Sequence, residues 1–427
     1  AIDYASAGMY DEAMELLSFV TEDILETYPM VYYALGYFSS KNGQKEKALD
    51  YYRKAEQMCP DYCFPNKMEE VLMLQDAMSL NPTGAKASYY LGNFYYAARC
   101  YDDAVACWEA SVSLDGTFPT VLRNLSLAYY NKQRNPQKAR EALEKAYSLD
   151  TTDARILMEL DQLYKKLRYP HRQRLDFLEA HANEVEQRDD LCIERITLYN
   201  QLGEYQKAYD LINSRKFHPW EGGEGKVTSQ YVFCRVELAK QALAEKRYAD
   251  AVRLLKETEK YPDNLGEGKL SMAEENDIHY WLGCAYEGLG DMEQAKAYFE
   301  RATKGSAEPA IAFFYNDQQP DKIFYQGLAW RKLGEEDKAR SRFNRLIKHG
   351  EKHLFDKVKI DYFAVSLPDL LIWDDDLNVR NLIHCNLVMG LGYLGLGDKE
   401  QARKFLSEVI RLDINHQVGQ QLLKMCE

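Results

Sequence analysis

Between Asn276 and Ala302 the apolar and small residues Leu282, Gly283, Tyr286, Gly290, Ala295, Phe299 and Ala302 are separated by one, three, four, five, four and three positions. Steps of three and four keep side chains on one face of a helix, so this pattern predicts two short amphipathic helices. The step of five falls at Gly290-Asp291, where glycine supplies a left-handed stop and aspartate an N-cap. The unit reads as an antiparallel helical hairpin.

Its most constant feature is a pair of small residues twelve positions apart. Gly36 with Ala48, Gly92 with Ala104, Ala239 with Ala251, Gly283 with Ala295, Gly327 with Ala339 and Gly390 with Ala402 repeat it, and Ala1 with Ala13 and Ile196 with Ala208 are looser copies. Small residues at both places are expected to let the two backbones approach, because neither carries a bulky group on Cβ. A pattern recurring in one frame along the chain indicates internal repeats, hence an all-α fold.

Residues 29–60 carry the frame most completely, with Tyr32, Leu35, Gly36, Ala48, Tyr52, Ala55 and Pro60 on the expected steps. This unit resembles the tetratricopeptide repeat. Partial copies include Leu91, Gly92, Tyr95, Ala104 and Trp108; Leu125, Tyr129 and Ala139; and Gly327, Trp330, Gly334, Ala339 and Phe343. The resemblance implies a right-handed alpha-alpha superhelix, a TPR solenoid of about ten helical hairpins with inserted loops and extra helices.

Successive helix-B alanines are 35 residues apart from 13 to 48, then 56, and later 43, 44, 44 and 63 from 208 to 402. The 56-residue step predicts an extra helix at about 64–80, with Pro65 at its start and Asn81-Pro82 as its stop. The expected organisation is a sub-array over 1–214, a loop at 215–226 and a second sub-array over 227–427, with insertions at about 260–275, 304–321 and 350–380. The frame enters the chain in mid-helix and no initiator Met is present, which reads as a segment of a longer protein.

A formal net charge of −13 argues against nucleic acid, whose phosphates need clustered cations. The local basic run of Lys165, Lys166, Arg168, Arg172 and Arg174 reads as a solvated turn. No apolar run approaches the roughly 20 residues of a membrane span. Nine scattered cysteines without a CxxC pair suit reduced thiols, hence a cytoplasmic setting, or a periplasmic one if a parent chain carries a signal peptide. No cofactor or metal is expected: His349 and His353 lack the HExxH order of a zinc helix.

Three inserted segments stand out: FHPWEGGEG at 217–225, NLGEG at 264–268 and DYFAVSLPDLLIWDDD at 361–376. Together with NDIHYWLG at 276–283 they resemble signature segments of a narrower bacterial family, in which such an array follows an amino-terminal β-sandwich domain similar to sugar-binding sandwiches. Two readings stand side by side. His218, Trp220, Glu221 and Glu224, with Asp361, Tyr362, Trp373 and Asp374, can serve a carbohydrate, the Trp stacking on a sugar face and the carboxylates bonding hydroxyls or doing acid–base work; the second segment can alternatively hold Ca²⁺. The structural reading makes Pro219 and Gly222-Gly223 a tight turn and Trp220 a plug between hairpins.

In the tetratricopeptide family helix A lines the concave surface. The resemblance assigns ligand contact to Tyr33, Tyr37, Tyr89, Asn93, Tyr96, Arg123, Asn124, Tyr130, Asn131 and Arg155, an aromatic, amide-rich set suited to an extended peptide. Asn93, Asn124 and Arg155 fall on positions of the family's carboxylate clamp, but Tyr89 and Glu159 replace its two other cations, which argues against a clamp. The expected function is a non-enzymatic scaffold for a protein, a peptide or an upstream domain of its own parent, without nucleic acid or membrane. The alternative is the helical half of a carbohydrate-active enzyme.

Overall fold

The computed structural model describes residues 1–21, 28–220, 222–271, 273–310, 317–359 and 372–427. Among these the chain is all-helical, with 23 α-helices, one 3₁₀ turn and no strand. It forms two compact units, Ala1–Leu160 and Asp161–Glu427.

The first unit stacks α1 (Ile2–Ser6) with α2 (Tyr10–Ser18), α3 (Pro29–Lys41) with α4 (Lys45–Gln57), the extra helix α5 (Met68–Leu80), α6 (Lys86–Ala97) with α7 (Tyr101–Leu114), and α8 (Pro119–Asn131) with α9 (Pro136–Leu149). It ends within α10 (Ala154–Lys166). The extra helix starts three residues after the expected Pro65, because the Glu70 carboxylate accepts the backbone N–H groups of Asn66 and Lys67 at 2.7 and 2.8 Å and fixes the N-terminus there.

The second unit continues through α11 (His171–Ala180), the single turn α12 (Ala182–Val185), α13 (Asp189–Gln201) with α14 (Tyr205–Asn213), α15 (Lys226–Ala244) with α16 (Tyr248–Lys256), and α17 (Asn276–Leu289) with α18 (Met292–Ala302). It finishes with α19 (Pro320–Lys332), α20 (Glu336–His353), α21 (Leu377–Leu396), α22 (Lys399–Leu412) and α23 (Gln417–Met425). The division into units falls inside α10, upstream of the 215–226 loop where the sequence spacing changes.

The hairpin turn at Gly290 has the expected chemistry: Gly290 is left-handed at φ 79°, and the Asp291 side chain accepts Gln294 N–H at 3.1 Å. At the glycines the space has a specific occupant. A Cβ built on Gly36, Gly92, Gly283, Gly327 or Gly390 would lie 2.3 to 2.7 Å from Tyr52, Trp108, Phe299, Phe343 or Leu406. Each glycine is thus the seat of a large side chain sixteen positions on, four after the buried helix-B alanine. What needs the space is that side chain, a ring in four of the five hairpins, which plugs the hairpin; filling it costs overpacking.

The second unit closes on itself. The turn between α22 and α23 lies against its first helices: Gln201 Nε2 donates to Asn415 O at 2.7 Å, Arg174 Nη1 to Asn415 Oδ1 at 3.2 Å, and Gln421 Nε2 to the Tyr205 hydroxyl at 3.0 Å. The amides of Gln230 and Gln417 bond each other reciprocally, at 2.8 and 3.0 Å.

Candidate functional site

On α6, α8 and the first half of α10, one row of polar side chains runs from helix to helix. Asn93 Oδ1 accepts from Trp108 Nε1 at 3.1 Å and from Asn124 Nδ2 at 3.3 Å. Beside Asn124, Arg123 makes a two-point contact with Glu159, Nε at 2.7 Å and Nη2 at 2.6 Å, and Arg155 Nε reaches the same carboxylate at 3.1 Å. Repeat geometry explains the row: these side chains sit 31 to 36 positions apart, close to one repeat, and project from successive helices at similar heights.

Of the ten residues assigned to ligand contact, Asn93, Arg123, Asn124 and Arg155 are joined in this row. Tyr37, Tyr96 and Tyr130 are half-buried, and Asn131 is buried. Lys41 lies over the Tyr37 ring, and Tyr96 packs against Tyr101 and Trp108. Tyr33 and Tyr89 are corrections, because both rings are core. Tyr33 is enclosed by Tyr52 and Tyr90 and donates to Glu56 Oε1 at 3.1 Å, while Tyr89 packs on Tyr90 and Phe118. Each stands three residues before a seating glycine, on the side of helix A that the next hairpin covers.

The charge balance of the row decides its chemistry. Glu159 is fully buried and draws on both arginines, so an incoming carboxylate would meet only about one net positive charge and one already engaged anion. Asn93 spends its oxygen on Trp108 and Asn124, and its side chain also bonds the Tyr89 hydroxyl, so at most one N–H of its Nδ2 group is left for a ligand.

The inserted segments hold each other. Phe217 N–H donates to Asn264 O at 2.7 Å, Asn264 Nδ2 bridges Ile212 O and Arg215 O at 2.9 Å each, and Glu267 caps Gly225 N–H at 2.9 Å. Burial raises the Glu267 carboxyl above its usual range. His218 is exposed and bonds Asp189 through its N–H at 2.8 Å; Trp220 is half-buried and folds over Gly223, where a Cβ would touch the indole at 2.0 Å. Glu224 is exposed. Trp373 is buried, Asp375 pairs with Lys166 at 3.0 Å and Arg380 at 2.6 Å, and Asp376 caps α21 by accepting Asn378 N–H at 2.8 Å. Asp374, next to Trp373, is likewise engaged in interactions of its own. Glu221, Asp361 and Tyr362 lie outside the described residues. Among the described residues no group of three His, Cys, Asp or Glu is placed to hold a metal, and no helix is long and apolar enough to cross a membrane.

Two features escape the sequence. The basic run at 165–174 is in part buried: the Arg174 guanidinium, 0% exposed, bonds Asp161 at 2.7 and 3.1 Å and Glu194 at 2.7 Å, and Lys165 joins Glu194 at 2.9 Å. Burial pushes both carboxyls up; Lys165 and Arg174 outweigh it at Glu194, whose carboxyl stays well below the usual range, whereas Asp161 ends above it. No local spacing signals this, because the partners come from three helices. The second feature is a cleft of about 410 Å³ lined by Tyr209, Tyr231, Tyr261, Asn213, Lys260 and Asp263, tyrosines with no regular spacing between them.

Family models described as tetratricopeptide repeat match residues 31–62, 91–154, 277–304 and 323–349. The chain carries tetratricopeptide repeats. The seating glycines at 36, 92, 283 and 327 all fall within the matched segments, so the plugged hairpin is how these repeats pack here. Among solved structures, the chain is similar to MamA (19% identity over 43% of this chain and 94% of that one, TM-score 0.25). It is also similar to YrrB, described as a TPR protein with an unusual peptide-binding site (14%, 53% and 89%, TM-score 0.30), and to a human IFIT1 dimer with PPP-AAAA (14%, 94% and 94%, TM-score 0.29).

Proposed function

We propose that the chain is a non-enzymatic interaction scaffold that holds an extended peptide, or a peptide-like segment of a partner domain, along α6, α8 and α10. The observation that carries this reading is the row from Trp108 through Asn93, Asn124 and Arg123 to Glu159 and Arg155. It offers fixed polar groups at repeat spacing, as a main chain requires, with both arginines already drawn onto Glu159.

The test uses peptides selected from a random displayed library against the full chain. Asn93→Ala combined with Asn124→Ala is expected to weaken the selected peptides about tenfold or more, as loss of one or two net hydrogen bonds predicts. Helicity and melting temperature should stay near those of the parent protein, since the Trp108 indole keeps its second acceptor, Tyr89 O, at 3.3 Å. Unchanged affinity in the folded double variant refutes the assignment.

A further inference from the structure

The segment Asp413–Gln421 is held as a bound peptide would be. Asn415 is engaged at both ends, its main-chain carbonyl by Gln201 and its side-chain oxygen by Arg174, while Gln417 trades amide hydrogen bonds with Gln230 and Gln421 bonds Tyr205. Asp413 shapes the turn by accepting Asn415 N–H at 2.9 Å. These contacts span 187 to 241 positions and are polar and neutral on the segment's side. The apolar face of α23 goes elsewhere: Leu422 and Cys426 are buried in one core with Val409 and Leu406 of α22.

That separation has an energetic meaning. The hydrogen bonds of Gln417 and Gln421, between neutral groups, contribute little net free energy because water replaces them, and only the bond from Arg174 to Asn415 is charge-assisted, whereas α23 keeps its hydrophobic anchorage on α22. The receiving surface is charge-balanced, Arg174 and Lys165 against Asp161 and Glu194, so it selects a carboxamide rather than a carboxylate. We propose that the surface formed by Arg174, Gln201, Tyr205 and Gln230 is a second peptide-recognition site, reading an asparagine and a glutamine two residues apart after an aspartate turn, and that Asp413–Gln421 is its resident, displaceable ligand. None of these residues lies on the α6–α8–α10 row, so the proposal stands or falls independently of that one.

The probe is a synthetic peptide of residues 411–421, titrated against the full chain. In the wild-type protein the tethered copy competes at high effective concentration, so the peptide binds weakly. In Asn415→Ala/Gln417→Ala the tethered copy loses its side-chain hold on Arg174 and Gln230 and keeps only its main-chain bond to Gln201 and the Gln421–Tyr205 contact, so affinity should rise at least about tenfold; adding Gln201→Ala/Gln230→Ala should abolish the gain. Equal affinity for wild type and the folded double variant, or a gain that survives loss of Gln201 and Gln230, overturns the proposal. Should the double variant misfold, hydrogen exchange in the wild-type chain decides: amides of 415–421 exchanging faster than those of α22 fit a displaceable segment, and equal protection overturns it.

Discussion

The Cα of Gly283 lies under the ring of Phe299, so close that a Cβ would stand 2.5 Å from the ring edge. Gly283→Ala is therefore expected to destabilise the α17–α18 hairpin by about 1 to 3 kcal/mol, the usual range for overpacking. Phe299→Leu in the same chain should return part of that loss. Urea melts of the two single variants and the double variant check this: strictly additive losses would show that the ring and the glycine do not share one space.

At Arg174 the expected effect is larger. Arg174→Met removes the cation from the buried Asp161 and the partly buried Glu194, of which only Glu194 keeps a partner in Lys165, and should cost about 3 to 5 kcal/mol. Adding Asp161→Asn ought to recover part of it by deleting one uncompensated charge. A thermal melt of the second unit's helices that is indifferent to Arg174→Met would contradict the network.

The clasp between inserted segments makes a local prediction. Asn264→Ala strands the carbonyls of Ile212 and Arg215 and should loosen residues 214–220 by about 1 to 3 kcal/mol, with faster proteolytic nicking there and little change in overall helicity. Undiminished resistance to protease would mean the loop is held by something else.

Acid should loosen the last helices. Burial, with His349 nearby, lowers the His384 imidazole to about 4, and among the described residues its Nε2 meets no hydrogen-bond partner. Burial also keeps His416 low, where its Nδ1 accepts Gly419 N–H at 3.0 Å and caps α23. Both groups fold as neutral imidazoles with pKa values below that of the unfolded chain, near 6.5. Their stabilisation is therefore complete above about pH 6.5 and is lost as pH falls below it, for His384 down to about 4. For His384 alone the loss is on the order of 3 kcal/mol. Hydrogen exchange of α21 measured between pH 7 and 4.5, corrected for intrinsic rate, should rise in the wild-type chain and flatten in His384→Gln.

The repeats were readable because their determinants are local: Gly, Ala and a ring recur within one hairpin, as at Gly36, Ala48 and Tyr52, and a helical wheel exposes them. The row on α6, α8 and α10 was readable where repeat spacing alone places a residue, as for Asn93 and Asn124. Tyr33 and Tyr89 misled because their burial depends on the neighbouring hairpin, where Tyr90 and Phe118 cover them. Arg174 was invisible for a related reason. Its partners Asp161 and Glu194 come from the helices on either side, and Asn415 joins them only when the second unit closes.

That closure also limits how the second unit can change. An open stack of hairpins grows or shrinks by whole repeats, each step altering only its neighbours. Here Asn415 must meet Arg174 and Gln417 must meet Gln230, so the number of intervening hairpins is set by circumference, as staves are in a barrel. Duplicating or deleting one hairpin between α13 and α22 would part both contacts at once. Length variation among descendants of this chain should accordingly accumulate in loops such as 214–220, and not in the repeat count.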